Sequence, residues 1–292
     1  MDWNSRRITV ILENALREDS ATRDSTTYAC IDPHQRATAT VLAKQDCVLA
    51  GLGVVARIFD VFANLDGTVV SYAEVTSHPE IFDGVRLHKG QSIAVIRHNA
   101  RIILSCERVL LNVLQRLSGI ATLTRRFVDA IAGTHARILD TRKTVPGLRL
   151  LDKYAVTCGG GFNHRLDLSD GVLIKNNHIA LAGGIVPALE EAHRNRRGEQ
   201  PIEIEVRSLE ELGQALEHGA EAILLDNMIP ETVRAAVERV QRHSRRVPLE
   251  ASGGITLENV RAFAETGVDY ISVGALTHSA PAVDMSLRVM PA

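Results

Sequence analysis

Cations follow two apolar segments of this sequence at the points where buried strands would end. Arg142 and Lys143 come shortly after the run 137–139, and Lys175 directly follows the run 172–174. Charged side chains at the carboxyl ends of neighbouring parallel strands converge on one place, so this pattern predicts a binding site for a small anion. Each cation alone is explained equally well as a solvated loop residue. The recurrence of the pattern favours the binding site.

The later candidate strands also end on residues that can bind ligands, which are Glu205, Asp226, Ser252, Gly253, Gly254 and Gly274. In α/β barrels the carboxyl ends of the strands build the active site, and the last loops commonly hold a phosphate through backbone N–H groups. The glycines are equally consistent with ordinary turns. A third cationic loop contains His164 and Arg165, and His164 either donates to an anion or supports the loop.

The balance of charge at these positions predicts a ligand with several negative charges. The candidate positions include only two carboxylates, Glu205 and Asp226, but five cations, which are Arg108, Arg142, Lys143, Arg165 and Lys175. Two like charges near 4 Å cost roughly 4 kcal/mol at an effective dielectric constant of about 20, so a polyanion is the natural complement. In the alternative interpretation, Lys175 pairs with Glu205 and Arg142 pairs with Asp226, which leaves the other cations unexplained.

Glu205 and Asp226 also suit a magnesium ion that arrives on a phosphorylated substrate. Magnesium keeps most of its waters and takes one or two protein carboxylates together with phosphate oxygens. A dedicated all-protein metal cage is therefore not expected. The 11 histidines include no H-E-x-x-H motif and no i, i+4 pair, which argues against a dedicated zinc site.

The elements that position these residues alternate between strand and helix from residue 136 onward. Short apolar runs are typical of parallel strands buried on both faces, and they lie at 137–139, 172–174, 202–206, 222–225, 247–249 and 270–273. A capping box from Ser208 to Glu211 predicts one helix that ends at Gly219, and another helix is predicted from Thr256 to Gly267. About six βα units are too few for the usual eightfold barrel. We therefore expect an incomplete, open α/β barrel.

The first part of the chain predicts an α+β sandwich domain with a mainly antiparallel sheet. Apolar spacing predicts helices at 8–16 and 54–62 and a long helix that starts near Ser105, is broken by Gly119 and resumes at 122–131. Strands are predicted at 37–43, 47–50, 69–75 and 91–97. The resulting domains are 1–117 and a catalytic barrel at 118–277, with the C-terminal tail, about 278–292, packing back on the first domain.

The overall composition is that of an ordinary globular protein and excludes several functional classes. The chain is 45% hydrophobic and 23% charged with a net charge of −2, so we expect neither nucleic-acid binding nor a polybasic membrane patch. The four cysteines show no C-x-x-C pair, and no signal-peptide or membrane-span pattern is seen at the N-terminus. We expect a soluble cytoplasmic protein.

Long, ordered motifs in the sequence resemble those of the quinolinate phosphoribosyltransferases, also called nicotinate-nucleotide pyrophosphorylases (carboxylating). They extend over most of the chain, with the most specific part between residues 107 and 279. The matching segments are ERVLLN with Arg108, LSGIAT, DTRKTVPGLR at 140–149, GGGFNHR at 159–165, LIKNNHI, IEIEV with Glu205, ILLDNM with Asp226, SGGI at 252–255 and ISVGALTHS at 271–279.

The resemblance implies a decarboxylating transferase of de novo NAD biosynthesis. Quinolinate, phosphoribosyl pyrophosphate and magnesium would give nicotinate mononucleotide, pyrophosphate and carbon dioxide. It also implies an N-terminal sandwich joined to an incomplete barrel, and a homodimer in which Arg108 reaches the neighbouring subunit's site. Quinolinate would be held by Thr141, Arg142, His164 and Arg165, with Lys143 and Lys175 serving substrate anions and the reacting centre.

The remaining roles implied by the resemblance concern the phosphorylated substrate. Glu205 and Asp226 would bind ribose hydroxyls and magnesium. The phosphate would lie against two loops, which are Ser252, Gly253, Gly254 and Val273, Gly274, Ala275. Three positions depart from the expected pattern: Asn176 in place of an acidic residue, Ala251 in place of serine and Cys47 in place of glycine.

Two other functions fit the same residues. One is a related phosphoribosyltransferase acting on another pyridine carboxylate, including the quinolinate-transferase-like proteins associated with molybdenum transport. The other is a phosphate-binding scaffold without catalytic activity. Retention of every candidate residue argues against the scaffold, and the full arginine set favours a dicarboxylate, because the arginine fork binds carboxylates bidentately.

Overall fold

The computed structural model describes residues 1–67 and 72–292. The chain forms two compact units. The N-terminal unit comprises Met1–Leu123, Val145–Gly160 and Ala280–Ala292, and the barrel unit comprises Thr124–Thr144 and Gly161–Ser279. In the described part of the chain, no helix is both long enough and apolar enough to cross a membrane.

The first part of the chain contains four helices, five strands and a short 3-10 turn at Ala21–Arg23 among the described residues. In chain order they are α1 (Arg6–Glu18), α2 (Ser25–Cys30), β1 (Arg36–Ala43), β2 (Cys47–Val48), α3 (Val54–Asp66), β3 (Glu74–Thr76), β4 (Arg86–Leu87), β5 (Ser92–Asn99) and α4 (Ala100–Ala130).

Strands and helices alternate through most of the rest of the chain. The elements are β6 (Arg137–Leu139), α5 (Arg149–Cys158), β7 (Val172–Ile174), α6 (Asn176–Ala182), α7 (Ile185–Asn195), β8 (Ile202–Val206), α8 (Leu209–Glu217), β9 (Ala222–Asp226), α9 (Pro230–Gln241), β10 (Leu249–Ser252), α10 (Val260–Ala264), β11 (Tyr270–Ser272), α11 (Ala275–His278) and β12 (Met285–Pro291).

An antiparallel sheet of order β12-β1-β5-β3 forms the main layer of the N-terminal unit. Alternate residues of β1 are buried, as expected for a strand with one face on the core. The strands predicted at 37–43 and 91–97 and the helices predicted at 8–16 and 54–62 are confirmed. Of the strand predicted at 69–75, residues up to 71 lie outside the described chain, and β3 covers 74–76.

The predicted break at Gly119 is wrong, because α4 is one continuous helix of 31 residues. A Cβ atom at Gly119 would lie 2.2 Å from the carbonyl oxygen of Pro281. The neighbouring segment of the N-terminal unit is also fixed to the helix by a hydrogen bond from the Val283 N–H to the Gln115 carbonyl. Glycine is therefore required here for close packing of two backbones, and it does not end the helix.

The barrel unit contains a six-stranded parallel sheet of order β6-β11-β10-β9-β8-β7. Strands β6 and β7 are its two edges, and an isolated parallel bridge joins Leu139 to Phe162 beside β6. This arrangement confirms the prediction of an open α/β barrel with six strands. The strand predicted at 247–249 instead lies at Leu249–Ser252, so Ser252 is the last residue of β10.

Two helix predictions in the barrel unit have different outcomes. The start of α8 is confirmed, since the Ser208 hydroxyl accepts a hydrogen bond from the Glu211 N–H at 3.1 Å. The helix predicted from Thr256 begins later, at Val260. In the turn before it, the Asn259 side chain accepts a hydrogen bond from the Thr256 N–H and donates one to the Gly254 carbonyl. Only α10, Val260–Ala264, remains helical there.

Candidate functional site

Three predicted residues lie at the carboxyl ends of three adjacent strands of the barrel. Lys175 follows β7, Glu205 is the fourth of the five residues of β8, and Asp226 is the last residue of β9. The Lys175 Nζ lies 3.5 Å from Glu205 Oε2. The Lys175–Glu205 pair of the alternative interpretation is therefore present in the structure, although the Lys175 side chain remains 48% exposed.

Sequence reasoning missed Arg207, which lies within ion-pair distance of both predicted carboxylates. Its Nε donates to Asp226 Oδ2 at 3.3 Å, and its Nη2 lies 4.0 Å from Glu205 Oε1. The signal was available, because Arg207 directly follows β8 in the same way that Lys175 follows β7. Half of the Arg207 side chain is exposed, whereas the Glu205 and Asp226 side chains are 7% and 16% exposed.

Glu205 and Asp226 together have the chemistry of a magnesium-binding pair. Both are oxygen donors at adjacent strand ends, and cations already approach both carboxylates. Magnesium in proteins is commonly held by one or two carboxylates, often through its own waters. The residues present therefore fit the ion that the sequence predicted.

The first and last strands of the barrel bring Lys143 and Gly274 together. A Cβ at Gly274 would lie 3.1 Å from Lys143 Cδ and 3.1 Å from His278 Nε2, so glycine leaves room for both side chains. The Thr277 hydroxyl donates to the Lys143 carbonyl at 2.9 Å, and the Val273 N–H donates to Leu139. The predicted loop Val273–Ala275 thus lies beside the exposed Lys143 side chain.

The backbone of the loop after β10 adopts positive φ angles that require glycine. Gly253 and Gly254 have φ angles of 96° and 63°, in the region that favours glycine. A Cβ at Gly253 would also meet the Asn227 side chain at 2.2 Å. Ser252 accepts a hydrogen bond from the Ser272 hydroxyl at 2.8 Å. Binding of a phosphate by Ser252, Gly253 and Gly254 stays a prediction.

Arg142 and Arg165 are close enough to affect each other electrostatically. Burial, followed by the positive charge of Arg142, lowers the pKa of Arg165 from its ordinary value. The Arg165 Nη1 is held by the Gly171 carbonyl at 3.0 Å, and the Thr141 hydroxyl accepts from the Lys143 N–H. Two guanidinium groups brought together in this way favour an anion between or beside them.

His164 faces two carboxylates that sequence reasoning missed. Its Nε2 lies 3.1 Å from Glu203 Oε2 and 3.5 Å from Glu250 Oε2. Burial, and then the charge of Glu203, raises the pKa of Glu250 to about 8. The alternation in IEIEV could have found Glu203, because it places Glu203 and Glu205 on the same face of β8.

A cavity of about 530 Å³ opens at the amino-terminal ends of the barrel strands. Its wall includes the first residues of four strands, Arg137, Val172, Ala222 and Tyr270. His164, Arg165, Glu203 and Glu250 also line it. These four side chains therefore face a cavity at the amino-terminal ends of the strands, whereas Lys175 and Asp226 lie at the carboxyl ends.

Arg108 is exposed on α4 and belongs to the N-terminal unit, whereas the other predicted site residues belong to the barrel unit.

The structure also shows where the three residues that depart from the expected family pattern lie. Asn176 is the first residue of α6, Ala251 is completely buried in β10, and Cys47 lies in β2, where burial raises its pKa to about 11.

Comparison with known proteins gives matches over nearly the whole chain. The sequence profile of the N-terminal domain of quinolinate phosphoribosyl transferase matches residues 24–118. The profile of the C-terminal domain of the same enzyme matches residues 120–288.

Relatives of similar length support the same assignment. A nicotinate-nucleotide pyrophosphorylase (carboxylating) from Mycobacterium leprae is 44% identical over 94% of this chain and 95% of that protein. A chloroplastic nicotinate-nucleotide pyrophosphorylase (carboxylating) from Arabidopsis thaliana is 42% identical over 96% of this chain and 82% of that protein. The crystal structure of NadC from Streptococcus pyogenes superimposes with a TM-score of 0.91 at 38% identity, covering 100% of this chain and 99% of that one.

Proposed function

Because the chain belongs to the quinolinate phosphoribosyl transferase family, we propose that it transfers a phosphoribosyl group to quinolinate with loss of carbon dioxide. The products are nicotinate mononucleotide, pyrophosphate and carbon dioxide, and the reaction belongs to NAD biosynthesis. Support comes from the family profiles over both halves of the chain and from relatives named for this activity.

The observation that carries the proposal is the proximity of two guanidinium groups, those of Arg142 and Arg165. The lowered pKa of Arg165 places another cation close by, and both side chains are only partly exposed. Quinolinate has two carboxylates on adjacent ring carbons. Guanidinium forks bind carboxylates bidentately, so this pair suits a dicarboxylate better than a monocarboxylate.

The chemistry relies on position and charge more than on proton transfer. The pyridine nitrogen attacks C1 of the ribose, the bond from C1 to the pyrophosphate oxygen breaks, and pyrophosphate leaves with the electron pair. Lys143, Lys175 and the loop residues Ser252–Gly254 and Val273–Ala275 would stabilise the phosphate and pyrophosphate charge. Glu205 and Asp226 would hold the ribose hydroxyls and orient C1 toward the nitrogen.

Decarboxylation follows from the positive charge that the ring nitrogen gains. The bond from C2 to its carboxylate breaks, carbon dioxide leaves, and the electron pair that remains on C2 takes up a proton. Thr141, Arg142 and Arg165 would hold the substrate carboxylates in place before this step, and His164 would support Arg165, because both of its ring nitrogens already have partners within the protein.

Magnesium is part of the proposal as a substrate-borne ion. Glu205 and Asp226 would hold it, directly or through its waters, and it would supply positive charge at the pyrophosphate. The two carboxylates already attract Lys175 and Arg207, which supports their affinity for cations.

We also propose a homodimer in which Arg108 enters the site of the neighbouring subunit. Support comes from the exposure of Arg108 on α4 and from its position outside the barrel unit. Mixing Arg108→Ala chains with Lys143→Ala chains should restore activity in the heterodimer, because one site then has both residues. Verified heterodimers without activity would contradict the shared site.

Cytoplasmic location is proposed from the cysteines, because all four are free thiols. Fractionation of the cells that produce the protein would test this location. Activity confined to an organelle fraction would contradict it.

Binding calorimetry tests the substrate class directly. We expect wild-type protein to bind quinolinate at least about tenfold more tightly than nicotinate, because one further charge-assisted hydrogen bond contributes roughly 1.5–3 kcal/mol. Arg165→Ala should remove most of this preference without changing the melting temperature. Equal affinity of the wild-type protein for both pyridines would contradict the proposal.

A further inference from the structure

His164 is held in one protonation form by its surroundings. Its Nδ1 accepts a hydrogen bond from the Arg165 backbone N–H at 2.7 Å. A backbone N–H can only donate, so Nδ1 carries no proton and the single ring proton of the neutral imidazole lies on Nε2. That proton points toward Glu203, whose Oε2 lies 3.1 Å away. The contact is well shielded, since both side chains are 15% exposed.

The same residue is anchored through its backbone. The His164 N–H donates to Asp140 Oδ1 at 2.9 Å, and Asp140 is completely buried just after β6. His164 therefore connects a loop beside β6 to the inner face of β8. The next residue, Arg165, has its guanidinium fixed by the Gly171 carbonyl.

A metal ion is a poor explanation for the cluster of His164, Glu203 and Glu250. Their ligand atoms lie within 4.8 Å of one another, which is close enough for a divalent cation. However, Nε2 carries the proton that a metal ligand must lose. The charges of Arg165 and Lys175 also act on Glu203 and Glu250, so positive charge is already supplied.

We propose that Glu203 is a positioning residue for substrate binding: it accepts the Nε2 proton of His164, fixes the imidazole ring, and thereby holds Arg165 in place for a substrate carboxylate. The inference rests on the proposed function for the identity of that substrate. It assigns to Glu203 a role distinct from that of Glu205, two residues further along the same face of β8.

Glu250, in β10, is the second carboxylate that faces His164. Its side chain is 4% exposed, and its Oε1 has no hydrogen-bond partner among the described residues. Burial raises the pKa of Glu250 and so favours its protonated, neutral carboxyl.

Glu203→Ala and Glu203→Gln separate positioning from general stability. In Glu203→Ala we expect the KM for quinolinate to rise about tenfold or more, because small displacements of binding groups are costly. The KM for phosphoribosyl pyrophosphate should stay within about twofold, since the hydrogen bonds lost are those of the quinolinate-binding loop. Glu203→Gln keeps an oxygen acceptor and should recover most of the loss. Glu217→Gln, at the exposed end of α8, is the matched control.

A spectroscopic readout tests the same contact without any turnover. In protein with ¹⁵N-labelled histidine, the signal that disappears in His164→Asn should report a single tautomer with the proton on Nε2. Glu203→Ala should convert it into an averaged or broadened signal, and Glu203→Gln should not. An unchanged His164 signal in Glu203→Ala would overturn the inference. So would equal increases of both KM values.

These readouts also separate the inference from the proposed function. If the wild-type protein does not convert quinolinate, the function is wrong, while the histidine signal still decides whether Glu203 fixes the ring. If the wild-type protein is active and Glu203→Ala has wild-type kinetics, the function stands and the positioning role is wrong.

Discussion

If Glu205 and Asp226 hold magnesium as proposed, Arg207 competes with the ion for these two carboxylates, and removal of Arg207 should strengthen metal binding. Its guanidinium lies 3.3 Å from Asp226 and 4.0 Å from Glu205. A unit charge at 4 Å contributes ~1 kcal/mol in water and ~4 kcal/mol at an effective dielectric constant of about 20. Because the Arg207 side chain is 54% exposed, the lower value applies. A change of ~1 kcal/mol corresponds to about a fivefold change in a dissociation constant.

Manganese provides a direct assay, because its electron paramagnetic resonance signal distinguishes free from bound ion. Without phosphoribosyl pyrophosphate, Arg207→Ala should bind Mn²⁺ about fivefold more tightly than the wild-type protein. Arg234→Ala, which removes an exposed guanidinium on α9, should bind like the wild-type protein. Glu205→Gln should bind more weakly. Unchanged or weaker Mn²⁺ binding by Arg207→Ala would refute the argument.

Three further predictions concern stability. Gly119→Ala should lower the free energy of unfolding by about 1–3 kcal/mol in urea titration, because its Cβ would overlap Pro281. Asp152→Ala should cost about 3 kcal/mol in the same measurement, since it leaves Arg116 without the buried carboxylate that it contacts at 2.9 and 2.7 Å. Glu250→Gln should change the pH dependence: the raised pKa of Glu250 means that wild-type stability falls as pH rises from about 4.5 to about 8, and the variant should lose that fall.

Each of these predictions has a clear contrary result. An unchanged unfolding midpoint in Gly119→Ala would mean that the helix and the segment at 281 are not in close contact. A loss below about 1 kcal/mol in Asp152→Ala would place the pair among weak surface ion pairs. Identical pH profiles for Glu250→Gln and wild type would show that Glu250 ionises normally.

The strands of the barrel could be predicted from the sequence because they are buried on both faces. Apolar runs such as 202–206 and 222–225 can be identified as strands from their own residues alone, and the structure confirms both strands. Gly119 could not be interpreted in the same way. Glycine breaks helices in isolation, but here it allows the C-terminal segment near Pro281 to approach, which is a contact between residues far apart in the chain.

The same distinction applies to the candidate site. Lys175 and Asp226 were found because the carboxyl ends of parallel strands meet at one edge. Glu203 and Glu250 were missed because they lie within strands, where a charged residue gives no local signal of its partner. Their partner, His164, comes from a loop about 40 residues earlier than Glu203. Tertiary structure alone brings the three together.

The central claim is tested most directly by product analysis with purified protein, quinolinate, phosphoribosyl pyrophosphate and magnesium. The proposed function predicts nicotinate mononucleotide, pyrophosphate and carbon dioxide in equal amounts, with turnover impaired in Lys143→Ala at unchanged melting temperature. Turnover of nicotinate in place of quinolinate, or no nicotinate mononucleotide from properly folded protein, would contradict it.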